Sequence, residues 1–187
     1  MRRAMRERLK DLTAEQAADA GIAVQSRLAS VAILYQRGAM GFLGHGGEVD
    51  LWNMLEDLME LHQGIILPLV GPDGTSLEIR WVASMDDVAP GYRGIMEPVR
   101  GRCAPAELDE VEAVLVPGLA FDRHGARLGR GGGHFDRLLA QIPGHATRIG
   151  VCHDWQLIDG SLPTEPHDQK VDMVCTPSQF LRTGARR

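Results

Sequence analysis

One short stretch in the second half of this sequence combines the residue types that bind phosphate groups. It runs from Arg127 to Asp136 and reads RLGRGGGHFD, with four glycines among the five residues from 129 to 133. Glycine adopts backbone conformations with positive φ and lets a ligand approach the main chain closely. Successive N–H groups in such a loop form an anion-binding concavity, which the positive end of a following helix reinforces. The glycines predict a phosphate-binding loop, although glycines alone are also typical of a flexible surface loop.

The charged residues around the glycines favour the phosphate-binding interpretation. Arg127 and Arg130 provide fixed positive charge and can each hold a phosphate through two parallel hydrogen bonds. Asp136, just inside the predicted helix, could hold Mg²⁺ on those phosphates. The stretch differs from two common nucleotide-binding loops. No Gly-Lys-Ser/Thr follows, as a Walker A loop requires, and His134 stands where a Rossmann fingerprint has glycine or alanine.

Candidate binding residues outside this stretch have simpler explanations as well. Arg2 and Arg6 lie one helical turn apart and could face one phosphate chain, but they could also belong to a solvated basic face. Glu48 follows two glycines at the predicted start of a helix, where an acidic residue complements the helix dipole. Two His-Asp pairs, at 153–154 and 167–168, raise the alternative of a metal-dependent phosphohydrolase. Such enzymes hold their metals on long helices, whereas here one pair ends a predicted strand and the other lies in a proline-rich loop.

Composition excludes several classes of protein. The chain has 187 residues, of which 44% are hydrophobic and 24% charged, as in an ordinary soluble domain. Its net charge of −5 argues against a general nucleic-acid binder with a basic face. Three cysteines without a C-x-x-C pair exclude a disulfide scaffold and a four-cysteine zinc site, and suit a reducing compartment. No apolar run approaches the ~20 residues of a transmembrane helix, and the N-terminal segment does not resemble a secretory signal. We expect a cytoplasmic protein without a nucleic-acid or membrane partner.

The hydrophobic pattern predicts the elements that would position these residues. Thr13 and Gln16 form a predicted capping box at the start of the second helix. The predicted helices span residues 2–12, 14–28, 49–61 and 134–142, and the predicted strands span residues 39–43, 65–70, 77–82, 113–116 and 148–152. Residues 84–110 are expected to be irregular, and the three tryptophans are expected to lie in the core. Alternating strands and helices predict an α/β domain with a largely parallel sheet, in which ligands bind at the carboxyl ends of the strands.

Residues 117–136 resemble the signature of the 5-formyltetrahydrofolate cyclo-ligases, also called methenyltetrahydrofolate synthetases. The family pattern is close to PGLAFDxxGxRLGxGxGYYD, and this sequence reads PGLAFDRHGARLGRGGGHFD. The similarity extends to FLGHGGEVDL at 42–51, IILP at 65–68, Glu97-Pro98 and PTEPHDQKVD at 163–172, in the order and spacing of the family. It implies one domain over residues 1–187, a three-layer α/β/α fold that is NagB/RpiA/CoA-transferase-like, and a monomer.

The resemblance also implies an activity. Members of the family convert 5-formyltetrahydrofolate to 5,10-methenyltetrahydrofolate with ATP and Mg²⁺, releasing ADP and phosphate. Transfer of the γ-phosphoryl group to the formyl oxygen would give an N5-iminium phosphate, and N10 would then close the ring. Such chemistry needs cations, backbone N–H groups and Mg²⁺ rather than a nucleophilic serine or cysteine. The alternative is a re-purposed, non-catalytic relative that binds nucleotide or folate.

The resemblance assigns roles to particular residues. Arg127 and Arg130 would act in catalysis, and Asp136 and Asp168 would hold Mg²⁺. The nucleotide would be bound by Arg2, Arg6, Arg127, Leu128, Gly129, Arg130, Gly131, Gly132, Gly133, His134 and Phe135. The folate would be bound by Leu43, Glu48, Arg130, Gly131, Gly132, Gly133 and His134.

The sequence departs from the family pattern in two places. His134-Phe135 stands where the family has two tyrosines, and Arg2 stands where it has a lysine. Histidine can stack on a pterin but can also be charged, and arginine keeps the positive charge of lysine with a different geometry.

Overall fold

The structure is a computed structural model that describes residues 1–184. Its α-helices are α1 (Arg2–Lys10), α2 (Ala14–Leu28), α3 (Trp52–His62) and α4 (His134–Gln141). Its strands are β1 (Ala39–Met40), β2 (Ile65–Val70), β3 (Leu77–Val82), β4 (Val88–Pro90), β5 (Met96–Pro98), β6 (Ala104–Pro105), β7 (Ala113–Pro117), β8 (Ala120–Asp122), β9 (Arg127–Leu128), β10 (Thr147–Val151), β11 (Leu157–Ile158), β12 (Met173–Cys175) and β13 (Phe180–Arg182). Within the same residues, no helix has the length and apolar character needed to cross a membrane.

An eight-stranded sheet forms the centre of the structure, in the order β13-β12-β10-β7-β1-β2-β3-β6. The strands from β12 to β2 run parallel to one another, with β7 in the middle. The outer pairs β12–β13, β2–β3 and β3–β6 are antiparallel. The predicted α/β class with a largely parallel sheet is confirmed.

Helices cover both faces of this sheet. On one face α2 and α3 pack against the strands, and Leu55 joins Leu115 in an apolar cluster. On the other face α4 contributes Leu138 to a second cluster with Val114 and Val116. Because successive residues of a strand point to opposite faces, β7 supplies side chains to both clusters. The predicted three-layer α/β/α arrangement follows from this packing.

The first helix, α1, is attached to the domain through one buried residue. Leu9 is 1% exposed and packs with Leu119, Ala120 and Leu128 in a third cluster. These partners lie on or beside the small sheet β11-β8-β9. The contact brings the basic N-terminal helix next to the start of the glycine-rich stretch.

Several predicted elements have the predicted bounds. Thr13 Oγ1 accepts a hydrogen bond from the Gln16 N–H at 3.1 Å, and Gln16 Oε1 accepts one from the Thr13 N–H at 2.9 Å. This capping box starts α2, which spans the predicted residues. The strands β2 and β3 also begin and end where the hydrophobic pattern placed them.

The helix predicted from residue 49 begins only at Trp52, so the prediction that Glu48 opens a helix is wrong. The Asp50 N–H donates instead to the Ala17 carbonyl of α2 at 3.1 Å, and the Asp50 carboxylate accepts from the Trp52 N–H at 2.9 Å. Tertiary contact with α2 thus keeps these residues out of the helix. The strand predicted over 39–43 is also shorter, ending at Met40.

The three tryptophans lie at the margin of the core rather than inside it, so that prediction is wrong. Trp52, Trp81 and Trp155 are each partly exposed. The guanidinium group of Arg8 lies 4.2 Å from the ring centroid of Trp155, and that of Arg37 lies 5.0 Å from the ring centroid of Trp81. An indole ring can pack one face on the protein and offer the other to a cation.

Gly21 lets the backbone of residue 50 approach α2 closely. A Cβ atom on Gly21 would lie 1.7 Å from the Asp50 carbonyl oxygen. That oxygen is part of the main chain, so it cannot move without moving the segment that follows Glu48. Gly21 and the Asp50–Ala17 hydrogen bond together fix where this segment crosses α2.

We expect Gly21→Ala to lower the free energy of unfolding by about 1–3 kcal/mol, because the added methyl group forces residue 50 away from α2. At a helix position without such a close contact, a change from glycine to alanine would instead raise the free energy of unfolding by about 1 kcal/mol. Urea unfolding measures the difference. Gly160→Ala is the control, since a Cβ atom there meets no atom within 4 Å. A Gly21→Ala protein at least as stable as the wild type would contradict the argument.

Candidate active site

A cavity of about 180 Å³ opens at the carboxyl edge of the parallel strands. Leu43 follows β1, Val70 ends β2 and Pro117 ends β7, and all three residues line the cavity. This is the edge at which ligands bind in open α/β sheets.

The lining of the cavity combines apolar and polar side chains. The apolar residues are Phe42, Leu43, Pro68, Val70, Leu77, Ile95, Met96, Pro117 and Phe135. The polar and charged residues are His45, Glu48, Tyr92, Glu97, Arg127, Arg130 and His134. A mainly apolar surface with a few charged groups suits a flat, partly polar ligand.

The glycine-rich loop joins β9 to α4 and supplies main chain to the cavity. Gly131 has φ +98°, and Gly133, which caps the start of α4, has φ +67°, both in the region that favours glycine. Gly129, Gly132 and Gly133 line the cavity. Leu128 is 7% exposed and buries its side chain in the cluster with α1, so it can reach a ligand only through its main chain.

The N-terminal arginines reach this loop from α1. The Arg2 Nε donates to the Gly129 carbonyl at 3.2 Å, and the Arg6 guanidinium donates to the Arg130 carbonyl. The two side chains are one helical turn apart, so both lie along the loop. Arg2 and Arg6 are thus brought to the predicted phosphate site, although neither lines the cavity.

Glu48 and Arg130 form an ion pair at the cavity. The Arg130 Nε and Nη2 lie 2.9 and 2.7 Å from Glu48 Oε1, and Nη2 also donates to the His45 carbonyl at 2.7 Å. The other oxygen, Glu48 Oε2, accepts from the His45 N–H at 3.1 Å. The glutamate side chain is 10% exposed and the arginine 40%. Arg130 is therefore the partner that can turn away toward a ligand.

Arg127 is a buried cation that forms an ion pair with Asp136. Its side chain is 4% exposed, and Nη2 donates to Asp136 Oδ1 at 2.6 Å while Nη1 donates to the Pro117 carbonyl at 3.3 Å. Its Nε is buried and has no hydrogen-bond partner among residues 1–184. Asp136 lies in the first turn of α4, where the helix dipole also favours negative charge. The ion pair joins the two ends of the glycine-rich loop.

The two aspartates predicted to hold Mg²⁺ belong to adjacent segments. Asp136 Oδ1 also accepts from the Gln169 N–H at 3.4 Å, and Asp168 directly precedes Gln169. Asp168 Oδ2 accepts from the Glu165 N–H at 2.7 Å. In the described part of the chain, no group of three or more His, Cys, Asp or Glu side chains could hold a metal ion. A metal bound here would need further ligands from outside the protein.

The two His-Asp pairs contact different neighbours. His153 Nε2 lies 2.8 Å from the Gly47 carbonyl oxygen, and Asp154 accepts hydrogen bonds from Thr176 and Ser178. His167 is 71% exposed and lies on the surface. This arrangement gives no support to the phosphohydrolase alternative.

His134 and Phe135 both line the cavity but differ in their surroundings. The His134 ring centroid lies 6.2 Å from that of Tyr92, and Nε2 lies 3.2 Å from the Gly74 carbonyl oxygen in the turn between β2 and β3. Phe135 packs against both main apolar clusters. The histidine therefore places an aromatic ring at the cavity, and the phenylalanine anchors the start of α4.

One part of the cavity comes from a segment that was predicted to be irregular. Tyr92, Ile95 and Met96 lie in or beside the hairpin formed by β4 and β5. Glu97 fixes this hairpin, because Oε1 accepts from the Val70 N–H at 3.3 Å and Oε2 accepts from the Tyr92 N–H at 3.1 Å. Both strands end in a proline, a residue that argues against a strand, so the sequence pattern did not predict them. The apolar pair Ile95-Met96 before Glu97 was the signal that could have indicated β5.

The three cysteines are buried and do not line the cavity. Burial raises the pKa of the Cys175 thiol to about 12 and also raises the pKa of Cys103 and Cys152. A protonated thiol is a poor nucleophile, so none of them is a candidate for covalent catalysis.

Comparison with known proteins gives one consistent family. The sequence model of the 5-formyltetrahydrofolate cyclo-ligase family matches residues 1–177. The chain is 34% identical over 149 residues to the 5-formyltetrahydrofolate cyclo-ligase of Mycolicibacterium smegmatis, covering 78% of this chain and 76% of that protein. It is 30% identical over 179 residues to the protein of the same name from Escherichia coli, covering 94% and 97%.

Solved structures agree with the sequence comparisons. The NMR structure of Aquifex aeolicus 5,10-methenyltetrahydrofolate synthetase superposes with a TM-score of 0.83 at 29% identity, covering 100% of this chain and 92% of that one. A 5,10-methenyltetrahydrofolate synthetase from Mycoplasma pneumoniae has a TM-score of 0.72 at 18% identity, covering 95% and 96%, and shows the same fold.

We expect Asp136→Asn to lower the free energy of unfolding by about 3 kcal/mol, because it leaves the Arg127 guanidinium buried without a countercharge. Adding Arg127→Met should recover part of this loss, since it removes the unpaired cation. Urea unfolding of the single and double variants measures the coupling. If the losses in stability of the two single variants simply add in the double variant, the ion pair does not contribute to stability and the argument is wrong.

Proposed function

Because the chain belongs to the 5-formyltetrahydrofolate cyclo-ligase family, we propose that it converts 5-formyltetrahydrofolate to 5,10-methenyltetrahydrofolate, consuming ATP and releasing ADP and phosphate. The observation that carries the proposal is the meeting of Glu48, Arg127, Arg130 and the glycine-rich loop at one cavity with a mainly apolar lining. The apolar residues suit a pterin ring, and the cations and N–H groups suit phosphate.

The proposed reaction explains why the site holds cations rather than a nucleophile. The formyl oxygen is a poor leaving group, so the γ-phosphoryl group of ATP is first transferred to it, giving an N5-iminium phosphate. N10 then attacks the activated carbon, the ring closes and phosphate leaves. Both steps redistribute negative charge over phosphate oxygens, which fixed positive groups and oriented N–H groups stabilise.

Arg127 is suited to supply constant positive charge at the reacting phosphate. It is held by Asp136 and by the Pro117 carbonyl before any ligand arrives. Charges interact more strongly in a site shielded from water, and a group that is already in place needs no reorganisation during the reaction.

Glu48 and Arg130 are suited to bind the substrate by exchanging partners. When Arg130 turns to a phosphate or to the folate, Glu48 Oε1 becomes available to accept hydrogen bonds from the amino and ring N–H groups of the pterin. Leu43 and His134 line the same cavity and would pack against the ring.

The nucleotide phosphates would lie along residues 129–133, where the loop N–H groups and the start of α4 favour anions. Arg2 and Arg6 add positive charge from the other side of the loop. The remaining predicted nucleotide contacts, Leu128 and Phe135, flank the glycines and would act through the main chain or through packing.

Asp136 and Asp168 fit a Mg²⁺ ion that is shared with the nucleotide. No described residue donates a hydrogen bond to Asp136 Oδ2, which leaves one carboxylate oxygen available beside the loop. Mg²⁺ commonly binds one or two carboxylates and takes its other ligands from phosphate oxygens and water. Bound in this way, Mg²⁺ would neutralise charge on the transferred phosphoryl group.

The proposal also includes a cytoplasmic monomer that binds small molecules and neither nucleic acid nor membranes. The net charge of −5 and the three free, buried cysteines are compatible with it. Gel filtration tests the monomeric state and cell fractionation tests the cytoplasmic location, both independently of activity.

Incubation of the purified protein with ATP, Mg²⁺ and 5-formyltetrahydrofolate tests the activity directly. The absorbance of the methenyl product should rise only when all three are present, with one ADP formed per product. Binding of ATP and folate without turnover would indicate the re-purposed relative instead.

We expect Glu48→Gln to weaken folate binding, with a Kd for the folate substrate about tenfold to a hundredfold higher, because a charge-assisted hydrogen bond is lost. The Kd for ATP should change much less, since Glu48 lies outside the glycine-rich loop. Titration calorimetry with each ligand measures both values. Glu60→Gln, on an exposed glutamate of α3, is the control. Equal losses for the two ligands would count against the assignment.

A further inference from the structure

His153 lies behind the loop that carries Glu48. It lies two residues after the end of β10, at the same edge of the sheet as the cavity, and is 6% exposed. Its Nε2 lies 2.8 Å from the Gly47 carbonyl oxygen. A carbonyl oxygen only accepts hydrogen bonds, so Nε2 must carry the proton in this contact. His153 does not line the cavity and has no part in the reaction described above.

The loop from residue 44 to 48 has few other supports. Gly46 and Gly47 have φ values of +62° and +83°, so the loop depends on glycine conformations. A Cβ atom on Gly47 would lie 2.0 Å from the Leu9 carbonyl oxygen, which shows how closely the loop passes α1. Among residues 1–184, the side chains outside the loop that hydrogen-bond to it are those of Arg130 and His153.

Arg130 and His153 differ in how ligand binding would affect their hydrogen bonds to the loop. Arg130 is 40% exposed, and the proposed reaction requires it to leave Glu48 for the ligand. Once Arg130 has moved, the bond from His153 to Gly47 is the remaining side-chain anchor of the loop. Without it, the two glycines would allow the Glu48 carboxylate to move away from the cavity.

His153 is itself held rigidly. Its ring stacks on that of Trp155, with centroids 6.0 Å apart and planes at 8°. The Arg8 guanidinium lies over the Trp155 ring, 4.2 Å from its centroid. The His153 N–H donates to Gln156 Oε1 at 2.8 Å. A donor held in this way is in place before the ligand binds.

The protonation state of His153 suits this role. Burial lowers its pKa, and this effect exceeds the raising effects of the Gly47 bond and of the Asp154 and Glu48 carboxylates. The neutral ring can still donate through Nε2. It therefore holds Gly47 without adding a buried positive charge that would compete with the pterin for Glu48.

We propose that His153 is a positioning residue for folate binding, whose Nε2–H bond to the Gly47 carbonyl keeps the Glu48 carboxylate at the cavity while Arg130 turns to the ligand. The inference rests on the proposed function, because it takes Glu48 as the folate contact. It concerns the folate part of the site only, since the glycine-rich loop is held separately by α1 and by the Arg127–Asp136 pair.

Two substitutions separate the hydrogen bond from the packing. His153→Phe keeps a flat ring against Trp155 but removes the donor, and His153→Gln places an amide nitrogen near the position of Nε2. We expect His153→Phe to raise both Kd and KM for the folate substrate about tenfold, with KM for ATP changed less than about twofold and His153→Gln close to wild type. His145→Phe, on an exposed histidine outside the cavity, is the control.

Several results would overturn the inference. These are a folate Kd for His153→Phe equal to that of wild type, equal losses for folate and ATP, or a His153→Gln variant as weak as His153→Phe. If His153→Phe does not fold, nitrogen NMR of the wild type decides: a slowly exchanging Nε2–H supports the inference, and an Nδ1–H tautomer refutes it. A wild type that binds folate without turnover would refute the proposed function alone.

Discussion

The glycine-rich loop depends on the ion pair between Arg127 and Asp136, because these residues stand at its two ends. A loop with four glycines has high conformational entropy when it is free, and that entropy opposes any single shape. The pair ties β9 to the first turn of α4 at 2.6 Å, with the arginine almost fully buried. A cation buried so deeply requires a countercharge. This one contact therefore ties the two ends of the loop together and allows a guanidinium group to be buried beside the cavity.

The cations around the loop differ in how firmly they are held. Arg127 is buried and fixed, Arg130 is partly exposed and paired with Glu48, and the arginines of α1 bond to loop carbonyls from the surface. A fixed cation stabilises a reacting group without having to move. A cation in an exposed ion pair can instead turn to a ligand, and its former partner then becomes free to bind the ligand as well. The cavity combines both kinds, and under the proposed function the Glu48–Arg130 pair is the part that changes on binding.

Features that depend on neighbouring residues could be predicted from the sequence, and features that depend on distant ones could not. The capping box of α2 and the glycine-rich loop before α4 are local, and both are present in the structure. The late start of α3 follows from the contact of Asp50 with α2, which no local pattern reveals. The family pattern predicted that Glu48 and Arg130 belong to the site, and the structure places both at the cavity, but the pattern did not predict that they pair across 82 positions of the chain.

The attachment of α1 has a consequence for biosynthesis. Arg2 and Arg6 bond to carbonyls that lie 127 and 124 positions later in the chain, and α1 buries only Leu9. An isolated helix shorter than about 12–15 residues is barely stable in water, so α1 gains its stability from these partners. A ribosome adding roughly 5–20 residues per second makes them on the order of ten seconds after the helix. Until then α1 cannot make these contacts and is open to chaperones and proteases, and the glycine-rich loop gains its bonds to Arg2 and Arg6 only when an early part of the chain meets a much later one.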